Sequence, residues 1–133
     1  MSPFTGSGNG ELHWFGHWDN QRLHQKYDIA ANTWAPAAEM PVGITDPAVM
    51  AEPLIGLIAV VGAGNNGSGP GMTHIWNPYA SGGGAWLGSF PGGPQTSHTA
   101  GAIWNNGSDG HAHVVGGVNG SMAIDTHWFV DYF

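Results

Sequence analysis

The stretch Ile58-Ala59-Val60-Val61-Gly62 decides the fold, because this short apolar run ends in glycine and leads into Asn65-Asn66-Gly67-Ser68. Asn and Gly tolerate the positive φ of a type I′ turn, so the pattern predicts a strand followed by a hairpin turn. The pattern recurs at Leu12-His13-Trp14-Phe15-Gly16 and Ala112-His113-Val114-Val115-Gly116, with turns predicted at residues 19–20 and 119–121. One strand–turn unit is therefore repeated along the chain.

A second shared strand follows each turn and carries a histidine ahead of aromatic residues. Its copies are Leu23-His24-Gln25-Lys26-Tyr27, Thr73-His74-Ile75-Trp76 and Thr126-His127-Trp128-Phe129. A tryptophan closes the first two copies, and these tryptophans, Trp34 and Trp86, are 52 residues apart. Four predicted strands in about 50 residues are typical of one blade of a β-propeller.

The predicted fold is therefore all-β, a β-propeller of four-stranded blades. We predict about two and a half blades, namely a partial blade over 11–38, a full blade over 39–88 and a partial blade over 89–133. The blades hold ten predicted strands, grouped three, four and three. The only helix candidate, 47–52, falls at a strand position of the repeat. A ring needs about four to eight blades, so either oligomerisation or missing sequence must complete it. A β-sandwich is the alternative fold.

Composition excludes several classes of partner. Only 8% of the residues are charged, and nine acidic residues against Lys26 and Arg22 give a formal net charge of −7. No basic stripe is available to neutralise phosphates, so we expect no nucleic-acid partner. The absence of cysteine excludes disulfides and thiolate metal sites. The longest apolar run, 54–63, is too short to insert in a membrane, and no signal peptide is visible, which leaves the compartment open.

Several segments resemble a known family. Residues 23–28 with Trp34 resemble the L-x-H-K-W-W-D-G…W strand pair of sugar-binding propeller lectins from bacteria and mushrooms, and 45–49 with 56–62 resemble the strands that follow it. Residues 27–41 and Val114-Val115-Gly116-Gly117 are similar to kelch propeller repeats, which are the competing family. We favour the lectins because the histidine recurs in every copy.

The resemblance implies two or three equivalent sugar sites per chain, shallow and located between neighbouring blades. Sugar recognition needs an aromatic face for the ring and fixed hydrogen-bonding groups for its hydroxyls. These residue types occur near each hairpin, and the candidates are His24, Tyr27, Asp28 and Trp34, then Asn65, His74, Trp76 and Trp86, then Asn119, His127 and Trp128. We expect a multivalent, homo-oligomeric lectin that binds glycans without a cofactor. The alternative function is a kelch-like protein-interaction scaffold with its tryptophans in the core.

Catalysis and metal binding find little support in the sequence. There is no Cys nucleophile and no Gly-x-Ser-x-Gly elbow, and Glu39 and Glu52 lack counterparts in the next copy. We therefore predict that the protein is not an enzyme, although a segment of a larger propeller enzyme stays open. His111-x-His113, with His13 and His17 in another copy, is the strongest metal pattern, but alternation along a hairpin produces such pairs by chance. We predict no metal site.

Overall fold

The computed structural model describes the backbone of residues 4–6 and 9–132 and the side chains of residues 9–132. Residues 1–3, 7–8 and 133 lie outside it, including the last residue of the predicted third blade. The prediction of an all-β fold is confirmed, since the described residues form strands and turns and contain no helix. Accordingly, this part of the chain offers no helix able to cross a membrane.

Thirteen strands are formed within the described residues. They are β1 (Phe4–Gly6), β2 (Glu11–Phe15), β3 (His24–Asp28), β4 (Thr33–Pro36), β5 (Ala48–Ala51), β6 (Ile58–Ala63), β7 (Gly71–Asn77), β8 (Ala85–Pro91), β9 (Ala100–Asn105), β10 (Gly110–Val115), β11 (Val118–Asn119), β12 (Met122–Ala123) and β13 (His127–Asp131).

The strands form three antiparallel sheets and one small hairpin. The first sheet has the order β1-β2-β3-β4, the second β5-β6-β7-β8 and the third β9-β10-β13, while β11 and β12 pair separately. The first sheet therefore has four strands rather than the three predicted. Its extra strand, β1, is only three residues long and carries no repeat signal, but its backbone pairs with residues 12–14 of β2. None of the described ladders closes a sheet on itself.

The second sheet lies between the other two and forms a separate core with each. Phe15 of the first sheet packs with Ile58, Val60 and Trp76 of the second. On the opposite side, Val61 and its neighbours on the second sheet pack with Ala112 and Val114 of the third. Successive residues of a strand point to opposite faces, which is how β6 supplies both cores. For the first two sheets, the face that packs on the following sheet is called the front face, and the opposite one the back face. In the third sheet, the back face packs on the second sheet, and the front face is the opposite one.

The hairpin turns agree with the predicted positions only in part. Asn65, Asn66 and Gly67 have φ values of 51, 52 and 85°, so the turn between β6 and β7 uses the left-handed region as expected. The first copy differs, because β2 and β3 are joined by the eight-residue loop 16–23 and its positive φ, 65°, lies at Gly16. A Cβ atom on Gly16 would lie 2.2 Å from the carbonyl oxygen of Ile44, so only glycine fits there.

Candidate functional site

The structure buries three of the predicted sugar-binding residues between the first and second sheets. His24 is 2% exposed, and His74 and Trp76 are fully buried. The ring of Trp76 contacts that of His24 edge-on, with centroids 4.5 Å apart. A sugar at the surface cannot reach these side chains, so we correct the candidate set by assigning them to the core.

Trp86 is a fourth predicted residue whose contacts are those of a packing residue. Its Nε1 donates a hydrogen bond of 3.1 Å to the carbonyl oxygen of Ala38. Its ring meets those of Phe15 and Trp76 edge-on, at centroid distances of 5.9 and 5.2 Å. These contacts join the outer strand of the second sheet to the first sheet.

Sequence reasoning missed a pair of histidines in the same core. Nδ1 of His13 lies 3.0 Å from Nε2 of His24, and Nδ1 of His24 lies 2.9 Å from the carbonyl oxygen of Ala38. Because a carbonyl oxygen only accepts, Nδ1 of His24 carries the proton, and Nε2 of the neutral ring accepts from His13. Burial lowers the pKa of His24 to about 4, and burial also lowers the pKa of His13, partly offset by Glu11.

The third sheet carries the same histidine pair on an open face. Nδ1 of His113 lies 2.8 Å from Nε2 of His127, and the two rings are stacked with centroids 5.0 Å apart. His127 faces Val115 across the ladder, as His24 faces Phe15 in the first sheet. The sequence does carry a signal for this equivalence, because His13 and His113 each lie three residues before a glycine at the end of the strand, Gly16 and Gly116.

Tyr27 and Asp28 lie on β3 of the first sheet, and Trp34 lies beside them on the edge strand β4. The half-exposed ring of Trp34 lies 5.1 Å from that of Tyr27 and 5.9 Å from that of Trp14. Asp28 accepts a hydrogen bond from the backbone N–H of Ala31, which holds the turn between β3 and β4. The structure therefore brings Tyr27 and Trp34 together with Trp14, while Asp28 serves the turn.

Asn65 lies in the exposed loop between β6 and β7, away from the other candidates. Its side chain bonds to Ser68 of the same loop. The next residue, Asn66, donates to the carbonyl oxygen of Gly120 over 2.6 Å, and the N–H of Gly120 donates back to Asn66 over 2.7 Å. The glycine-rich loop thus has a structural role, because it holds the β11–β12 hairpin against the second sheet.

The remaining candidates, Asn119, His127 and Trp128, meet in one open cleft. This cleft has a volume of about 360 Å³ and lies where the segment before β9 passes the β11–β12 hairpin and β13. Its lining residues are Pro94, Gln95, Thr96, Asn119, Ile124, Thr126, His127 and Trp128. No motif in the sequence pointed to Gln95 and Thr96, because they belong to the link between β8 and β9.

Backbone pairing fixes the shape of this cleft. Ser97 and Val118 exchange backbone hydrogen bonds of 2.9 and 2.8 Å, which ties the link to the hairpin. The Nδ2 of Asn119 then donates to the carbonyl oxygen of Gln95 over 3.1 Å, so the amide is held in place with its Oδ1 left for a ligand donor. The described lining residues include no Asp, Glu, Lys or Arg, which favours an uncharged polar ligand.

A second cavity, of about 290 Å³, lies between the front face of the second sheet and the back face of the third. It is lined mainly by aliphatic side chains such as Ile75 and Ile103, and its lining also includes Trp128, Tyr132 and Glu52. Burial would raise the pKa of Glu52, but hydrogen bonds from the N–H of Ile55, from Asn105 and from the N–H of Leu54 outweigh it and lower the pKa. With its oxygens engaged in this way, Glu52 acts as a structural acceptor.

The remaining histidine pattern, His111-x-His113, does not assemble a metal centre. His111 pairs with Asp131 and Asp109, and these hydrogen bonds raise the pKa of its imidazole. Within residues 9–132, no group of three or more metal-ligating side chains is close enough to hold an ion.

A search against protein-family models and a search of curated proteins both find no match to this chain.

Proposed function

We propose that the protein is a carbohydrate-binding β-propeller lectin, without enzymatic activity, whose three sheets are successive blades. The arrangement of the sheets supports this architecture. Each sheet runs in chain order from its first strand, and β5 lies beside both β1 and β9. First strands that lie side by side are what a propeller requires, since they surround its central channel.

The observation that carries the sugar-binding proposal is the cleft around Asn119. Its lining brings the half-buried Trp128 together with the amide of Asn119, and none of its described residues is Asp, Glu, Lys or Arg. An aromatic surface and a few fixed polar groups are the combination that binds the apolar and hydroxyl faces of a sugar. A single shallow cleft of this kind binds weakly, and repetition around a ring raises the affinity through multivalency.

A kelch-like protein-interaction scaffold is the second candidate function. It is favoured by the positions of Trp76 and Trp86, which pack between sheets as that function requires. The two candidates differ in the role of Trp128, which a sugar would contact directly.

The test is binding of the full chain to an array of neutral glycans, followed by titration with the best glycan while tryptophan emission is recorded. We expect saturable binding and a change in emission. Asn119→Ala should weaken binding about 5- to 10-fold, the value of one or two lost hydrogen bonds. Asn20→Ala, in the exposed loop after β2, is the matched control and should bind like the native chain. Absence of binding to every glycan would refute the proposal.

A further inference from the structure

No other sheet of the described residues covers the front face of the third sheet, which is unusually rich in rings. Its side chains are Ala100, Ala102, Trp104, His111, His113, Val115, His127, Phe129 and Asp131, which follow from the pairing of β9, β10 and β13. Trp104 and Phe129 are 50% and 59% exposed. Such a contiguous patch of exposed aromatic surface marks an interaction site in a folded protein.

The first sheet shows what covers the same face inside the chain. There the equivalent histidine pair, His13 with His24, lies under the back face of the second sheet. The covering side chains are Val60, Trp76 and Trp86, and Trp76 packs edge-on against His24. We call this contact between two successive sheets a junction. The histidine pair forms its front-face half, and the aromatic residues Trp76 and Trp86 on the back face of the following sheet belong to its other half.

The back face of the first sheet carries that other half, and no other sheet of the described residues covers it: Trp34 is exposed, and Leu12, Trp14 and Tyr27 are half-buried. Leu12 faces Tyr27 across the ladder, as Ile58 faces Trp76 in the second sheet. Trp34 faces Tyr27, as Trp86 faces Trp76. Of these aromatic residues, Trp34 is 51% exposed, whereas Trp76 is fully buried.

The sizes of the residues on the two uncovered faces are complementary. In the internal junction, the large Phe15 stands on the front face and the small Val60 on the back face. On the uncovered faces this relation is reversed, because Val115 replaces Phe15 and Trp14 replaces Val60 at the equivalent ladder positions. Large residues opposite small ones allow two faces to interdigitate.

We propose that the front face of the third sheet binds the back face of the first sheet in a second copy of this chain. Such a contact is head-to-tail, and a head-to-tail contact closes into a ring when the rotation per copy allows it. Two copies supply six sheets, which lies within the range of about four to eight blades. The proposed assembly is therefore a dimer with two identical junctions. It rests on the propeller architecture proposed above, and it does not depend on sugar binding.

The test is the mass of the full chain in solution by analytical ultracentrifugation. We expect twice the chain mass of 13.9 kDa. Val115→Lys, at an exposed position of the front face where the first sheet carries the buried Phe15, should raise the dimer dissociation constant at least about 10-fold, while Leu87→Lys, exposed on β8, is the matched control and should not. A native chain that sediments as a monomer would overturn the proposal and would favour another occupant, such as a further repeat of a longer protein.

Mixing two variants separates a lost junction from a damaged fold. Trp34→Lys disrupts the back face and leaves the front face intact, whereas Val115→Lys does the opposite. Each variant alone should be monomeric, and an equal mixture should form a dimer held by one junction. If the mixture stays monomeric although both variants unfold at the urea concentration of the native chain, the head-to-tail contact is refuted.

Discussion

The buried histidine pair should make the fold sensitive to acid. His24 has a pKa of about 4 in the folded chain, against about 6.5 in an unfolded one. Between these values the unfolded state binds the proton and the folded state does not, so stability decreases as the pH falls. A separation of about 2.5 pKa units corresponds to about 3 kcal/mol of unfolding free energy. This loss is complete below about pH 4 and absent above about pH 7.

Urea unfolding, followed by tryptophan emission from about pH 7.5 to about pH 4.5, measures this loss. The variant His24→Phe keeps a ring between Phe15 and Trp76, and the carbonyl oxygen of Ala38 keeps its bond from the indole of Trp86. It should therefore lose much less stability on acidification than the native chain. Replacement of the half-exposed His17 by Phe is the matched control. If the native chain and His24→Phe give parallel curves, the assignment of the acid sensitivity to the pair is wrong.

Two further predictions concern the packing around the second sheet. Gly84→Ala should cost at least about 2 kcal/mol more unfolding free energy than Gly82→Ala, measured by urea unfolding. Both glycines have positive φ, but a Cβ on Gly84 would lie 2.3 Å from the ring of Trp76, and one on Gly82 would meet no atom within 4 Å. Glu52→Gln should cost about 2 kcal/mol at neutral pH, because an amide cannot accept every hydrogen bond that the carboxylate accepts. Equal costs for the two glycine variants, or an unchanged Glu52→Gln midpoint, would contradict these assignments.

The repeated units of the sequence correctly indicated ten of the thirteen described strands, β2–β10 and β13, but not the faces to which their side chains point. His24 and His74 look equivalent, since each lies one residue after the start of a matching segment. In the structure His24 faces Phe15, the residue before the strand's glycine, whereas His74 faces Val60, which is two residues before it. A shift of one residue moves a side chain to the opposite face of a strand. Single-sequence spacing cannot detect such a shift, because both registers preserve the pattern.

The candidate site was only partly predictable for a similar reason. Asn119, His127 and Trp128 could be selected from one copy of the repeat, because they lie near one hairpin in the chain. Gln95 and Thr96 line the same cleft from the link before β9, and only tertiary pairing between Ser97 and Val118 places that link there. The sequence also could not show which tryptophans are buried, because a tryptophan that packs between two sheets and one that contacts a ligand can have the same local sequence.

The order of strands within the sheets also affects how the chain forms during synthesis. The first two sheets are each built from four strands that follow one another, so their backbone pairing closes only short loops. Contacts between near neighbours form quickly, and the N-terminal part of a chain emerges from the ribosome first. In the third sheet β13 must return to β10 across the inserted hairpin. Translation therefore completes the third sheet after the other two, and its histidine face forms only once the β11–β12 hairpin has been made.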